Sequence, residues 1–91
     1  MHEKKTPMSL VDLGFVKDMA DKMADGLNRT GREADDWKKI NWNREIERQY
    51  HSALLRHLYY ADYAGEDAAG HFASAACNAM ILHYHAKKEA K

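Results

Sequence analysis

The chain has a single cysteine, Cys77, so no internal disulfide framework exists and packing alone must hold the fold. That usage fits a reducing compartment. Alanines at 75, 76 and 79 make Cys77 read as a small packing residue rather than a reactive thiol. Proline occurs once, at Pro7, and glycine five times, too few for an architecture of strands and tight turns. β-branched aliphatics are equally scarce (Val11, Val16, Ile40, Ile46 and Ile81) while alanine is abundant, which favours helix over sheet. No apolar run approaches the roughly 20 residues that span a bilayer. The opening MHEKKTPMSL has no apolar stretch of the secretory kind. A soluble, cytoplasmic protein is expected, in the host cytoplasm if phage-encoded, with no membrane partner. Acidic and basic side chains balance at 14 each, so no net field draws the protein to nucleic acid. Lys87, Lys88 and Lys91 read as compensation of a helix dipole at its C-terminus.

What is present is helical periodicity in one small domain of 91 residues. Residues 1–8 form a polar arm, and a single helical domain is expected over 9–91. Ser9 is a candidate N-cap for a first helix whose apolar face runs Leu13, Val16, Ala20, Met23 and Leu27. Asp12, Lys17, Asp18, Asp21, Lys22 and Asp25 fill its polar side, and Gly26, Asn28 and Gly31 are expected to break it. A polar connection over 28–43 carries Trp37 and Trp42, which either cap one end of the bundle or stack on an aromatic ligand. The second helix is expected over 43–62, with Ile46, Tyr50, Ala53, Leu54, His57, Leu58 and Ala61 on one face. The third is expected over 68–87, with His71, Asn78, Leu82 and His85 on one stripe and small alanines beside it. The fold class is therefore all-α, a small three-helix domain whose second and third helices form an antiparallel hairpin. Tyr59, Tyr60, Tyr63, Tyr84, Met80 and Ile81 compete for a small core, so some must face outward and a homo-oligomer is expected to cover them.

The segment 50–80 places Arg56, His57, Glu66, Asp67, His71 and Asn78 in helices that would otherwise be plain core. Burying such groups is costly unless they are paired or bind something. The hairpin turn GEDAAG brings Arg56 and His57 toward Glu66, Asp67 and His71. Imidazole and carboxylate together suit a divalent cation, Mg or Mn where carboxylate dominates, and arginine beside them suits phosphate. A nucleotide or another phosphorylated small molecule is the ligand class this implies. The alternatives are a core His57 hydrogen-bonded to Asp67 or a tyrosine hydroxyl, and acidic residues that merely favour the third helix's dipole. Asn78 needs a partner if buried. His83 and His85, two apart, do not share a helix face as a metal pair would.

The segments Asp36-Trp37-Lys38-Lys39, Ala53-Leu54-Leu55-Arg56-His57-Leu58, Gly65-Glu66-Asp67, Gly70-His71-Phe72 and Asn78-Ala79-Met80 resemble a family of small phage and bacterial helical domains. That family is the N-terminal domain of dATP/dGTP diphosphohydrolases, and the resemblance covers residues 36–82. It implies hydrolysis of a deoxynucleoside triphosphate to monophosphate and pyrophosphate with a divalent metal. Glu66, Asp67 and His71 would hold that metal, Arg56 would steady phosphate oxygens, and His57, with Glu66 and Asp67, would serve catalysis. Trp37, Lys38, Tyr50 and Asn78 would complete the ligand site. The chain departs from the pattern in having Ile40 in place of glycine, Ser74 in place of a second histidine, and a shorter acidic turn after Gly65. The paired carboxylate motif ExxE and ExxD of all-α nucleotide pyrophosphohydrolases is also missing, its nearest approximations being Asp18-x-x-Asp21 and Glu33-x-x-Asp36. A non-catalytic module that binds or sequesters a nucleotide, host-defence signalling nucleotides included, and a purely structural or interaction protein are the alternative readings.

Overall fold

A computed structural model describes residues 7–63 and 67–89. Three helices carry the fold: α1 (Leu13–Thr30), α2 (Arg44–Tyr63) and α3 (Ala68–Glu89), with short 3-10 turns at Met8–Leu10 and Asp36–Lys38. No strand occurs among the described residues.

Each helix starts on a side-chain cap that satisfies a backbone N–H with no partner of its own in the first turn. Asp12 accepts from the Phe15 amide at 2.9 Å, Asn43 from Ile46 at 2.9 Å, and Asp67 from Gly70 at 3.1 Å. The first cap corrects the expected start at Ser9. Ser9 lies inside the 3-10 turn, Val11 is extended, and the helix begins only after Asp12. Nor do Gly26 and Asn28 break α1. The helix runs through both, and Gly31 ends it with a left-handed φ of 69° while its N–H bonds Leu27 O at 2.8 Å. The connection to α2 is correspondingly shorter than the expected 28–43.

α3 is the central element. α2 packs along one side of it, α1 and the 3-10 turn at Asp36–Lys38 pack elsewhere on it, and α1 and α2 do not pack on each other. The pairings of His57 with His71, and of Tyr50 through Trp42 with His85, run in opposite chain directions, so α2 and α3 form the expected antiparallel hairpin. Every fully buried residue described belongs to α3: Ala73, Ala75, Cys77, Ile81 and His85. The small residues let α1 approach closely enough for Cys77 Sγ to donate to Met19 O at 3.3 Å. Burial raises the thiol's pKa, as an inert packing cysteine requires.

This core is thin. The radius of gyration is 15.0 Å, against about 12 Å for a tightly packed chain of this length. No residue of α1 is fully buried, and Leu13, Phe15 and Val16 are exposed. Tyr59, Tyr60 and Tyr63 face outward as the competition for core space predicts, while Ile81 takes a core place.

Candidate functional site: the groove between α1 and α2

Among the described residues no Cα of α1 lies within 8 Å of one of α2, and a groove opens between the two helices over α3. Part of it is a cleft of about 650 Å³, open to solvent and lined by Lys22, Asp25, Asn28 and Arg29 of α1, His57 of α2 and Ser74 of α3. At its α2–α3 wall the two imidazoles meet Nδ1 to Nδ1 at 3.1 Å. The Tyr60 ring lies 5.4 Å from that of His71. His57 thus pairs with neither Asp67 nor a tyrosine hydroxyl. Burial, then the neighbouring His71, Arg56 and Lys22, hold its pKa below the ordinary histidine value, so the neutral ring is favoured.

Lys22 also lines two adjoining depressions. Toward the start of α3 lies one of about 300 Å³, where Lys22 meets Asp18, Asp21, Asp25, Asp67 and Gly70. In the other direction a space of about 210 Å³ is lined by Lys22, Gly26, Thr30, Trp37, Tyr50 and Ile81. Ser74 and Ile81 are seven residues apart on α3, or about 10 Å of helix. Polar donors at one station and aromatic rings at the next therefore lie within the span of a single nucleotide.

The expected site residues divide among these places. His57 and His71 come together. Asp67 lies near them but caps α3, and a Cβ at Gly70 would run into its carboxylate, with Cγ only 2.8 Å away. Glu66 lies outside the described residues. Among the described residues no three His, Cys, Asp or Glu side chains gather as a metal cluster would. Arg56 lies in a separate depression on α2 with Glu45, Arg48, Gln49 and Ser52, although its charge still reaches His57. Asn78 satisfies its amide on its own helix, donating to Ser74 O at 3.1 Å.

The aromatic residues form a clamp near the other end of α3. Trp42 stacks on His85 with centroids 4.1 Å apart and planes 2° from parallel, and Tyr50 stacks on Trp42 at 5.5 Å. Trp37 meets Tyr84 edge-on at 5.2 Å, with Lys38 Nζ 5.4 Å from the Trp37 ring centre. His85 Nε2 lies 2.9 Å from Trp37 O, so it donates there, and the ring is only 2 % exposed. The tryptophans therefore cap the bundle, and Trp37 and Tyr50 each keep a side on the groove. Of the two approximate carboxylate pairs, Asp36 is engaged locally, accepting from the Glu33 amide at 3.0 Å.

The residues missed by sequence reasoning are those of α1. Lys22 and Asp25 belong to the expected polar side of the first helix, whereas Arg29 falls in the expected connection 28–43 and joins them, at steps of three and four, only because α1 runs on to Thr30. The polar side was visible, but nothing local distinguishes a solvated face from the wall of a groove.

These features define an all-α module in which a central helix forms the floor of a polar, partly aromatic groove. The sequence model of the family described as "dATP/dGTP diphosphohydrolase, N-terminal" matches residues 1–91, and the chain belongs to that family. The match takes in α1, which lies outside the 36–82 segment that carries the visible motifs. No curated protein and no solved structure matches the chain.

Proposed function

We propose that the chain binds a deoxynucleoside triphosphate along the groove and serves its hydrolysis to monophosphate and pyrophosphate. The observation that carries this reading is the donor set of one cleft: Lys22, Asn28, Arg29, His57 and Ser74 together in about 650 Å³. Ammonium and guanidinium groups suit phosphate oxygens through charge-assisted hydrogen bonds, and the amide, hydroxyl and imidazole supply further donors. Asp25 is the single carboxylate among these lining residues. The base lies toward Tyr50 and Trp37, where an aromatic face is available for stacking. Membership of the family supports dATP or dGTP as the substrate class. Of the carboxylates expected to serve the hydrolytic chemistry, Asp67 caps α3 and Glu66 lies outside the described residues.

The test is calorimetric binding of dATP and dGTP to the purified chain, paired with an assay for released pyrophosphate. Each of Lys22→Ala and Arg29→Ala should weaken binding at least about tenfold, since a hydrogen bond to a charged group contributes about 1.5–3 kcal/mol. Arg56→Ala should weaken it less. Binding without pyrophosphate release would mark a binding module rather than an enzyme. If neither nucleotide binds, or the Lys22 and Arg29 variants bind as the parent does, the groove is not the site.

A further inference from the structure

We infer that His57 and His71 form a site for one borderline transition-metal ion such as Zn²⁺, Co²⁺ or Ni²⁺, held by the two Nδ1 atoms. The donors come from different helices, and the α2–α3 packing brings their nitrogens to 3.1 Å. With metal–nitrogen bonds of about 2.0–2.1 Å, that separation corresponds to a ligand angle of about 100°. Roughly 90° is octahedral and roughly 109° tetrahedral, so either geometry needs only a small adjustment. Both rings must be neutral, with the proton on Nε2, and the environment of His57 favours its neutral form. Imidazole nitrogen suits these ions and is a poor donor for Mg²⁺, which demands oxygen. Asp67, one turn before His71, is occupied in capping α3.

No third His, Cys, Asp or Glu joins the pair among the described residues. The remaining coordination positions therefore fall to water, or to an oxygen of whatever occupies the cleft that His57 lines. Lys22 in that cleft opposes a bare cation and favours one that arrives with an anion, so affinity for the metal alone should be modest. The site needs no nucleotide to exist. It stands apart from the proposed substrate reading, and each can fail alone.

The experiment uses the full chain stripped of metal. Zn²⁺ is titrated while the imidazole nitrogens are followed by long-range ¹H–¹⁵N correlation, and Co²⁺ is titrated by its visible absorption. The Nδ1 resonances of both His57 and His71 should move on adding one equivalent of Zn²⁺, while those of the exposed His51 and His83 stay put. Co²⁺ should bind at one per chain, at least tenfold more weakly in His57→Gln and in His71→Gln, with Mg²⁺ unable to displace it at equal concentration. If the Nδ1 resonances of His57 and His71 are unmoved at saturating Zn²⁺, the pair is only an imidazole–imidazole hydrogen bond and the site is refuted. Undiminished Co²⁺ binding in both variants refutes it as well. The resonances of the parent decide the matter even if a variant fails to fold. Binding of dATP in the presence of a chelator reports on the groove independently.

Discussion

Replacing His85 by alanine should cost this domain a large share of its stability, because one ring joins three parts of the fold. His85 is buried, donates to Trp37 O at 2.9 Å, and is stacked on Trp42 with Tyr84 edge-on at 5.1 Å. The hydrogen bond contributes about 0.5–1.5 kcal/mol. The aromatic contacts contribute a similar amount, about 0.5–1.5 kcal/mol. Removing the ring also leaves a void between Trp42 and Tyr84, which places the total near the range for large-to-small core substitutions, about 2–4 kcal/mol. Domains of this size have stabilities toward the lower end of about 5–15 kcal/mol. Each kcal/mol moves Tm by about 4–8 °C, so a fall of at least about 8 °C is expected. Urea unfolding followed by tryptophan fluorescence is the assay, because the only two tryptophans, Trp37 and Trp42, are both held by this histidine. The native emission of His85→Ala should shift to the red as the clamp loosens. His85→Phe keeps a ring but not the donor and should cost only about 1 kcal/mol. His83→Ala, on the exposed side, should stay within about 0.5 kcal/mol of the parent. A His85→Ala midpoint equal to that of His83→Ala would refute the clamp.

Gly70→Ala would normally stabilise a helix by up to about 1 kcal/mol. Here the new Cβ displaces the Asp67 carboxylate from the Gly70 N–H, and losing that cap costs about 1 kcal/mol, so the substitution should be neutral or destabilising. In an Asp67→Ala background the same change should become stabilising, and an equal effect in both backgrounds by thermal unfolding would show that the two residues are not coupled. His57 should titrate below 6.5 in the metal-free protein when its imidazole protons are followed by NMR, because burial and then its cationic neighbours disfavour the charged ring. A depressed folded-state value means that the unfolded chain binds the proton more readily. The linked stability is therefore complete above pH 6.5 and lost as pH falls toward the folded midpoint. Lys22→Gln should raise that midpoint without bringing it fully to 6.5, and a midpoint above 6.5 in the parent would contradict the geometry.

Helix identity was legible because it rests on period and composition. The apolar steps in 46–61 and the alanine-rich run after residue 68 are local signals, and they delivered α2, α3 and their antiparallel pairing. Ser9 and Asp12 are both acceptable caps, and the extended backbone at Val11 with the Asp12 side chain accepting from the Phe15 amide places the start of α1 at the second. Gly26 was misread as a terminator for a related reason. A glycine inside a helix costs only about 1 kcal/mol, which the rest of α1 can absorb. The role of His85 was hidden by its neighbour. With His83 it makes a pair that fails as a metal motif, and that failure says nothing about one histidine alone being the most buried polar residue described.

The site was half legible, and helix geometry explains which half. His57 and His71 could be brought together because a hairpin makes near-diagonal pairs of positions predictable from the turn alone. Arg56 and His57 adjoin in the chain but differ by about 100° around α2, so they serve different surfaces. The cationic wall of the groove comes instead from α1, whose distance from the hairpin in sequence conceals its proximity in space. That helix has no fully buried residue, and Cys77 donating to Met19 O is its described side-chain hydrogen bond to α3. An anion held by Lys22 and Arg29 on one wall and by His57 and Ser74 on the others would therefore tie α1 to the hairpin as well as occupy the groove. Binding and the docking of α1 are then one equilibrium. A ligand that selects the docked arrangement stabilises it by mass action, and a loosely held wall lowers the apparent affinity by the fraction of time it is undocked.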